Sequence, residues 1–421
     1  MPCNAANPVS PVADYDVIVI GAGPGGAESA RTAVRAGLRT LLLEEHPTVG
    51  VPSHCTGKLS FHAFDELEIP RTLAHTAVSA AVLYSPSGVA VRVRRSTVDS
   101  YAVDRIVFDR WVAQRAQEAG AELVTGVRVT EAARVNGSVA VRGARAGRTF
   151  EARAPLVIDA EGSAPRLLEM LGVAIPRRHA FGLQYQIRGI GGVEQDTPEM
   201  FFGDDVAPGF FAWLMPVGND TSRVGLAVDP QRTPRRPVWY LERLLASHPA
   251  MRGRMAGVVI ERKVAGRIPL LTGTATTSAD RVIVVGDAAG MVKATSGGGI
   301  YYAMTAGRIA GQMAARYVGG DGTALSAYER GWRRRIGREV RFTAFSRRAI
   351  NRLSDAELDT VMRVIAESPR ILASIADAGD TQFQSKLFGP LLRGLSAAMV
   401  RRPVVAPLVV KALVQGMFAQ M

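Results

Sequence analysis

A glycine-rich run near the start of the chain has the spacing of a phosphate-binding turn. Gly21, Gly23 and Gly26 lie between an apolar strand predicted at Asp16–Ile20 and an alanine-rich helix predicted to end before Gly37. Glycines at this spacing permit a tight turn, let the backbone approach a pyrophosphate and let helix and strand pack closely. The helix N-terminus adds free N–H groups and the positive end of its dipole. The motif predicts a dinucleotide site, which also includes Pro24, Gly25, Glu44 and Glu45.

Two further motifs lie in the second half of the chain. Asp287 follows an apolar strand predicted at Val282–Val285, so its carboxylate is expected at the carboxyl edge of a parallel sheet, where ligands bind. There it suits either hydrogen bonds to sugar or ribityl hydroxyls or the capping of a helix. A triple glycine then begins a helical pattern that ends at Val318, and its N–H groups suit the edge of a flavin ring. The residues assigned to these motifs are Gly286, Asp287, Ala288, Gly297, Gly298, Gly299 and Ile300.

Together these motifs resemble the geranylgeranyl reductase family of FAD-dependent proteins, within a wider class similar to p-hydroxybenzoate hydroxylase. Three further segments carry the same resemblance: Pro-Ser-His-Cys-Thr-Gly at 52–57, Tyr-Ala-Val-Asp-Arg at 101–105, and Phe-Ala-Trp-Leu-Met-Pro at 211–216. The resemblance covers about residues 14–320. It implies an α/β fold with a Rossmann-like FAD-binding domain of the glutathione reductase or p-hydroxybenzoate hydroxylase type, a β-sheet substrate domain and a helical C-terminal region.

The predicted elements give this organisation approximate boundaries. The middle of the chain is rich in predicted strands, and only helices are predicted from Leu325 onward. The expected division is a discontinuous FAD-binding domain at 1–75, 100–175 and 275–320, a substrate domain at 76–99 and 176–274, and a helical region at 321–421.

The resemblance also implies roles for single residues. It places Cys55 near the flavin and the substrate, as a proton donor or as part of the cavity wall, with His54 beside it. Taken by itself, a free cysteine is more often a small buried hydrophobe. Further cofactor contacts implied by the resemblance are Thr56, Gly57, Arg105, Glu161 and Gly162. The implied substrate contacts are Phe211, Trp213, Met215, Pro216, Tyr301 and Lys293, although for Lys293 a place on the protein surface is the favoured interpretation.

The chain departs from the family pattern at three positions. Glu161 stands where the wider class usually has aspartate, in a segment tied to FAD and nicotinamide contacts. The reductant therefore stays open between NAD(P)H and a protein electron donor. Phe211 and Met215 replace a tyrosine and a phenylalanine of the substrate motif, which leaves the substrate open as well.

The reaction implied by the resemblance is the reduction of carbon–carbon double bonds in a polyprenyl chain of the geranylgeranyl type. FAD carries the redox chemistry, while the protein orients the alkene and excludes water. The expected substrate is a hydrophobic isoprenoid: geranylgeranyl diphosphate, a prenylated lipid or a prenylquinone. Three alternatives stay open: a flavin monooxygenase or halogenase acting on a hydrophobic substrate, a flavoprotein that passes electrons to quinone, and a protein in which FAD is purely structural.

The charge balance of the chain bears on its partners. Lys and Arg number 51 against 38 Asp and Glu, a net charge of +13, and nine arginines lie between Arg330 and Arg352 with one acidic residue. Such an excess suits an anionic membrane or a phosphorylated substrate, or forms a solvated helix face. Aromatic residues make up only 6% and do not interleave with basic ones, so nucleic acid is not expected. The apolar tail after Arg402 adds to the membrane expectation, although packing against the protein is favoured for it.

The cysteine count and the N-terminus limit the possible metal sites, disulfides and cellular compartments. Two cysteines in 421 residues exclude a disulfide scaffold and are too few for a zinc ribbon or an iron–sulfur cluster, so no metal site is expected. The N-terminus has no secretory signal, and no window reaches the roughly 18 uninterrupted apolar residues of a spanning helix. We therefore expect a monomeric cytoplasmic protein with peripheral contact at the inner face of the cell membrane.

Overall fold

The computed structural model describes residues 13–175, 178–270 and 275–387, and beyond them residues 389–391, 393–394, 407–408 and 411. The strands in these ranges are β1 (Ala13–Asp14), β2 (Val17–Ile20), β3 (Thr40–Glu44), β4 (Lys58–Ser60), β5 (Ala74–Val78), β6 (Ala80–Tyr84), β7 (Ala90–Arg94), β8 (Ser100–Val103), β9 (Glu122–Thr125), β10 (Val127–Val135), β11 (Ser138–Arg145), β12 (Arg148–Ala154), β13 (Leu156–Asp159), β14 (His179–Arg188), β15 (Glu199–Phe201), β16 (Ala212–Pro216), β17 (Thr221–Val228), β18 (Val259–Pro269), β19 (Ser278–Ala279) and β20 (Val282–Val284). The helices are α1 (Pro24–Arg35), α2 (Phe61–Glu66), α3 (Arg105–Glu118), α4 (Pro237–Ser247), α5 (Ile300–Val318), α6 (Ala324–Trp332), α7 (Arg338–Ile350), α8 (Asp355–Ala366) and α9 (Pro369–Ala378), with a π-helical turn at Arg333–Gly337 between α6 and α7.

The glycine-rich turn lies at one end of a six-stranded sheet with the order β19–β20–β13–β2–β3–β9. Neighbouring strands from β20 to β9 run parallel, and β19 adds an antiparallel edge. Strands β2, β13 and β20 are buried along their whole length, as expected for parallel strands that are covered on both faces. The sheet therefore brings the ends of β2 and β20, which are far apart in the chain, to the same edge.

Helices α1 and α5 pack on this sheet with their backbones in contact. A Cβ at Gly307 would lie 2.5 Å from the carbonyl oxygen of Gly25, and a Cβ at Gly311 would lie 2.6 Å from that of Ser29. These two glycines of α5 allow an approach that any larger residue would prevent. Because the contacts follow both helices in the same direction, the N-terminus of α5 is held beside that of α1.

A seven-stranded sheet has the order β18–β14–β17–β16–β15–β6–β7 and is antiparallel except between β15 and β6. Its strands come from residues 80–94 and 179–269, inside the segments for which we propose a substrate domain. One side packs on α4 through an apolar cluster that includes Leu226 and Leu241. The other side, here called the inner face, carries Gly182, Gln184 and Gln186 of β14, Trp213 and Met215 of β16, Arg223, Gly225 and Ala227 of β17, and Arg262, Val264, Gly266 and Ile268 of β18.

Two smaller sheets complete the architecture, with the orders β1–β12–β11–β10 and β4–β8–β5. Strand β10 was not among the strands predicted from the sequence. Its register against β11 shifts between Val129 and Glu131, and that irregularity breaks the alternation of buried and exposed residues. The α/β fold class is confirmed, and the described chain after α5 continues in helices α6 to α9.

The C-terminal region was predicted to contact a membrane. Among the described residues, no helix combines the length and the apolar character that crossing a bilayer requires. The apolar tail after Arg402 lies outside the described residues, apart from positions 407, 408 and 411. Of these, Lys411 pairs with Glu357 of α8, with 2.6 Å between Nζ and Oε2.

Candidate FAD and substrate site

The glycine-rich turn between β2 and α1 has room for a phosphate because its residues lack side chains. Gly21 has a φ of +101°, and a Cβ there would overlap the carbonyl oxygen of Ala160. A Cβ at Gly26 would overlap the carbonyl oxygen of Gly21. Gly23 has open space where a side chain would lie, beside the first turn of α1 at Pro24. The N–H groups at this helix end therefore face an open space suited to phosphate oxygens.

Glu44 and Glu45, at the end of β3, have different surroundings. The Glu44 carboxylate accepts hydrogen bonds from the backbone N–H groups of Ala22 and His46, both at 3.0 Å, and so lies beside the glycine-rich turn. That position suits hydrogen bonds from the ribose of a dinucleotide. Glu45 instead pairs with Arg166 at 2.8 Å. Burial raises the pKa of Glu45, but Arg166, His46 and Arg128 together outweigh this effect and hold the pKa below its usual value.

Glu161 uses its carboxylate within its own loop. Its Oε2 accepts hydrogen bonds from the backbone N–H groups of Arg166, at 2.9 Å, and Leu167, at 3.0 Å. Gly162 follows with a φ of +85°, a conformation that favours glycine. The loop borders the cofactor region through the contact between Ala160 and Gly21, but the Glu161 carboxylate is engaged by backbone.

Asp287 lies in the short turn Gly286–Ala289 that follows β20. Within the described chain no hydrogen bond reaches its carboxylate, and the N-cap of α5 is Gly299 rather than an aspartate. Burial raises the pKa of Asp287 to about 6, and Arg105 has the opposite effect. A carboxylate without a hydrogen-bond partner at this edge of the sheet suits the hydroxyl groups of a ribityl chain, which favours the predicted ligand contact over a helix cap.

The glycine run before α5 lies against a buried lysine. Gly297 has a φ of +71°, and the first N–H groups of α5, from Ile300, have no partner within the helix. Lys293 is only 5% exposed, and its Nζ donates a hydrogen bond to the carbonyl of Thr381 at 2.7 Å. The favoured surface position for this lysine is wrong, because residues after α9 fold over it. Burial lowers the pKa of Lys293 to about 8, and a Cβ at Gly298 would lie 3.3 Å from its Nζ.

Residues 52–57 bring Cys55 to the border between the cofactor region and the inner face. The backbone N–H of Gly57 donates a hydrogen bond to the Cys55 Sγ at 3.3 Å. Arg105 forms a two-contact ion pair with Asp109, at 2.8 and 2.7 Å, and its guanidinium lies within electrostatic reach of the Cys55 side chain. Burial lowers the pKa of Arg105, but Asp109 and Cys55 raise it above its usual value, so this cation persists beside the thiol.

His54 lies where this segment meets the sheet. A Cβ at Gly266 of β18 would lie 3.4 Å from the His54 Cβ, so the absent side chain at position 266 makes the contact possible. Burial, followed by the charges of His46, Arg262 and Arg105, lowers the pKa of His54 below its usual value. The imidazole is therefore neutral near pH 7.

The tryptophan of the predicted substrate motif lies on the inner face. The Trp213 Nε1 donates a hydrogen bond to Oε1 of Gln184 at 3.0 Å. Gly225, its neighbour in the sheet, would place a Cβ 2.8 Å from the indole Cζ2. The indole thus lies on the sheet over a position where only glycine fits, and Gln184 fixes its orientation.

Phe211 and Met215, two other predicted substrate contacts of this motif, lie in different clusters. Phe211 stacks with Phe210, at 4.9 Å between ring centroids, and lies 5.7 Å from the ring of Trp213. Met215 is buried in a separate cluster near Val78, and Pro216 ends β16. The three aromatic rings at one end of the motif are therefore adjacent, while Met215 contributes to a different cluster.

Tyr301, in the first turn of α5, is buried and engaged by polar partners. Its hydroxyl donates a hydrogen bond to Oε2 of Glu66 at 2.7 Å and accepts one from Arg335 at 3.1 Å. Burial and Glu66 raise the pKa of Tyr301 above its usual value. This hydroxyl joins α5 to α2, and a substrate contact of Tyr301 stays a prediction.

Two segments of this region match models of known protein families. Residues 16–176 match the family model for FAD-dependent oxidoreductases, and residues 179–266 match the model for the geranylgeranyl reductase catalytic domain. The chain belongs to the geranylgeranyl reductase family of FAD-dependent oxidoreductases. It is 30% identical over 360 residues to the digeranylgeranylglycerophospholipid reductase of Methanocaldococcus jannaschii, covering 84% of this chain and 91% of that protein. The predicted family and the predicted enzyme class are thus confirmed.

Solved structures show the same fold in this family and beyond it. The geranylgeranyl bacteriochlorophyll reductase-like protein of Thermoplasma acidophilum has a TM-score of 0.82 and 23% identity, covering 94% of this chain and all of that chain. A flavin-dependent brominase has a TM-score of 0.65 and 17% identity, covering 92% of this chain and all of that chain. At these identities the likeness shows the fold alone, so the halogenase alternative gains little support while the reductase family has matching relatives as well.

The residues present fit the FAD that this family uses. Gly23 leaves open space at the N-terminus of α1, Asp287 offers a carboxylate that no described group engages, and α5 directs its first N–H groups towards the same edge of the sheet. Pyrophosphate, ribityl hydroxyls and the electron-rich edge of a flavin require these three kinds of partner. The predicted cofactor is therefore consistent with the geometry.

Two arginines of this region were missed by sequence reasoning. Arg347 of α7 is buried and donates hydrogen bonds to the carbonyls of Ala294, at 3.0 Å, and Phe210, at 2.8 Å, and also to that of Thr295. It was counted within the solvated arginine cluster, and nothing in the sequence separates it from its exposed neighbours. Arg223 of β17 donates a hydrogen bond to the carbonyl of Thr56 at 2.9 Å and so joins the inner face to the Cys55 segment.

Proposed function

We propose that this protein reduces carbon–carbon double bonds of a geranylgeranyl-type chain carried by a lipid or a diphosphate. The observation that carries the proposal is the position of residues 179–266. This segment matches the geranylgeranyl reductase catalytic domain, and it also contributes the inner face that lies against the Cys55 segment. That face presents the Trp213 indole and residues without large side chains, such as Gly182 and Ala227, which leave space for an apolar chain.

The proposed roles of the residues follow from their surroundings. When bound, FAD supplies the hydride that adds to one alkene carbon. Trp213 and Phe211 hold the chain against the inner face and exclude water from the reacting carbons. The Cys55 thiol donates its proton to the other alkene carbon, and a proton from solvent restores the thiol. Arg105, which lies within electrostatic reach of Cys55, balances the negative charge that remains on sulfur during this step.

A reduction assay under nitrogen tests the proposal directly. The holoenzyme is incubated with dithionite, NADH or NADPH in parallel and with either geranylgeranyl diphosphate or a digeranylgeranyl glycerophospholipid, the lipid class named for the relatives. We expect mass spectrometry to show a gain of two hydrogens for each double bond reduced, and the reductant that works identifies the donor class. No gain with any reductant, or incorporation of oxygen or halide when air is admitted, contradicts the proposal.

We also propose peripheral contact of a monomer with an anionic membrane. Arg330, Arg334, Arg338 and Arg341 are exposed and follow one another at spacings of four, four and three residues from α6 to α7. This spacing places them along one side of the helical run. Each basic residue near an anionic surface contributes on the order of 1 kcal/mol, so several together hold the protein reversibly.

Flotation with liposomes tests the membrane proposal. We expect the wild-type protein to float with phosphatidylserine-containing liposomes at low salt and to be released at high salt, because salt screens the attraction. The double variant Arg330→Gln/Arg334→Gln should float less. The control Arg145→Gln/Arg148→Gln removes the same charge from exposed positions at the β11–β12 hairpin and should float like wild type. Equal flotation of both variants contradicts docking through this arginine surface.

A further inference from the structure

Arg223 is a buried arginine whose guanidinium is only partly satisfied. The residue is 6% exposed, and Nη1 donates to the carbonyl of Thr56, but Nε has no hydrogen-bond partner. Burial lowers the pKa of Arg223, and the neighbouring cations Arg262 and Arg105 lower it further, while Asp104 and Cys55 act in the opposite direction. A cation in this position lacks the close counter-charge that buried charges normally have.

A second arginine lies in the same cross-strand row of the inner face. Arg262 of β18 pairs with Gln186 of β14, and Gln186 pairs with Arg223 of β17, so the two arginines flank one glutamine on the same side of the sheet. Arg262 is half-buried, and among the described residues it forms no ion pair. The charge of Arg262 also acts on the His54 imidazole, which places His54 within its electrostatic reach.

The nearby carboxylates are already engaged by other groups. Asp104 caps α3 by accepting hydrogen bonds from the N–H groups of Ile106, at 2.7 Å, and Val107, at 3.2 Å. Asp109 is occupied by its two contacts with Arg105. Glu261, adjacent to Arg262, pairs with Arg188 at 3.1 Å and accepts a hydrogen bond from Gln186 at 3.0 Å. Neither Arg223 nor Arg262 therefore forms an ion pair with a carboxylate in the described structure, and the row between them keeps an excess of positive charge.

We propose that Arg223 and Arg262 bind the phosphate group at the head of the isoprenoid substrate, an inference that rests on the proposed function. Guanidinium groups suit phosphate oxygens because they offer several N–H donors in a planar arrangement. A phosphate between these two side chains satisfies the free Nε of Arg223 and supplies the missing negative charge. The same chemistry serves a prenyl diphosphate and a prenylated glycerophosphate, which share the anionic head and the apolar chain.

The position of this phosphate site fixes which part of the chain is reduced first. Arg223 is hydrogen-bonded to Thr56, the residue after Cys55, so the anchored head lies close to the proposed proton donor. The double bond nearest the head is then the one held at Cys55, and the rest of the chain extends along the inner face towards Gly182 and Ala227. Reduction should therefore begin at the head-proximal double bond.

Binding measurements on the holoenzyme test the site without relying on catalysis. Inorganic diphosphate and glycerol 1-phosphate are titrated by calorimetry into FAD-loaded wild type, Arg223→Gln, Arg262→Gln and the control Arg267→Gln. Arg267 is an exposed arginine of the same strand β18, on the opposite side of the sheet from the inner face. We expect roughly ten- to hundredfold weaker binding in the first two variants and no change in the control. The probe that binds more tightly indicates which kind of head the enzyme takes.

A kinetic comparison separates this proposal from the proposed function. Losing a phosphate contact should raise KM for geranylgeranyl diphosphate in Arg262→Gln, leave KM for geranylgeraniol unchanged and abolish the preference for the head-proximal double bond. Equal effects on both substrates, or a changed flavin absorption spectrum, would mean that the arginines act on the flavin or the fold, and the site would be abandoned. If wild type reduces neither substrate, the proposed function fails, and the diphosphate titration still decides whether the anion site exists.

Discussion

The two walls of the site are built from different parts of the chain. The wall on the cofactor side consists mainly of backbone groups, namely the turn at Gly21 and Gly26 and the first N–H groups of α5. The wall on the substrate side consists of side chains from separate strands, as where Trp213 lies over Gly225. The cofactor wall depends on glycines, which leave space because they lack side chains. The substrate wall depends on which residues lie opposite each other across a sheet.

This difference has a physical consequence for how each wall tolerates change. A glycine of the cofactor turn is enclosed by backbone, which cannot move without disturbing the central sheet. The indole of Trp213 is enclosed partly by other side chains, which can adopt new rotamers at a smaller cost. Substitutions on the cofactor side should therefore weaken or abolish FAD binding, whereas those on the inner face should change how the substrate is used.

The largest effect is expected from Gly26→Ala. Its Cβ would overlap the carbonyl oxygen of Gly21, so α1 must move away from the turn proposed to bind the phosphates. We expect FAD affinity to fall on the order of a hundredfold or more, measured by titrating apoprotein with FAD. The control Gly322→Ala, at a position with open space, should bind FAD like wild type. A yellow, fully loaded Gly26→Ala protein would contradict this account of the turn.

Cys55→Ala should act where the two walls meet. Loss of a general acid typically slows a reaction by about 10²–10⁴-fold, so alkene reduction should fall by that order while FAD stays bound. Reduction of the flavin by dithionite should proceed at the wild-type rate, because it does not use this proton. Stopped-flow spectroscopy measures both half-reactions. A wild-type rate of alkene reduction in the variant would assign the proton donor elsewhere.

Gly225→Ala tests the substrate wall alone. Its Cβ would lie 2.6 Å from the carbonyl oxygen of Leu183 and 2.8 Å from the Trp213 ring, so the backbone of β14 and the indole must both shift. We expect roughly ten- to hundredfold lower kcat/KM with unchanged FAD content. Gly182→Ala is the matched control, because a Cβ there has only ordinary contacts, the nearest at 3.7 Å. Loss of FAD from Gly225→Ala would show that the two walls are not separable.

The smallest effect concerns Asp287 and depends on pH. Its raised pKa, about 6, means that the folded apoprotein holds this proton more tightly than the unfolded chain, so stability is lost as pH rises through 6. Asp287→Asn removes this loss and should stabilise the apoprotein by about 1–2 kcal/mol more at pH 8 than at pH 5. Thermal unfolding at the two pH values measures the difference. Added FAD should reduce it if ribityl hydroxyls bind the carboxylate, and no pH dependence at all would contradict the burial of Asp287.

The cofactor wall could be predicted from the sequence because its motifs consist of residues that are close together in the chain. The spacing of Gly21, Gly23 and Gly26 is typical of one turn conformation. The apolar strand before Asp287 predicts the position of that carboxylate from neighbouring residues alone. The predicted strands and helices around these motifs are present, and the predicted family and FAD are confirmed. The assignment of individual contacts remains a prediction.

The substrate wall could not be predicted in the same detail, because adjacency across a sheet depends on register. Nothing local indicates that Arg223 and Arg262 share one row with Gln186 between them. For the same reason Lys293 was assigned to the surface, since only the folding back of residues after α9 buries it. Each of these positions is decided by a segment distant in the chain.

The order of strands in the central sheet determines when during translation that sheet can form. Strand β13 lies between β2 and β20, and α1 packs against α5 at Gly307 and Gly311, so the turn between β2 and α1 is synthesised early, whereas the segments that pack against it are synthesised much later. At typical translation rates the apolar strand β2 waits roughly 15–60 s for α5. During that interval the nascent chain exposes fully apolar strands, a state prone to aggregation. The sheet that carries the glycine-rich turn can therefore be completed only after β20 and α5 have been synthesised.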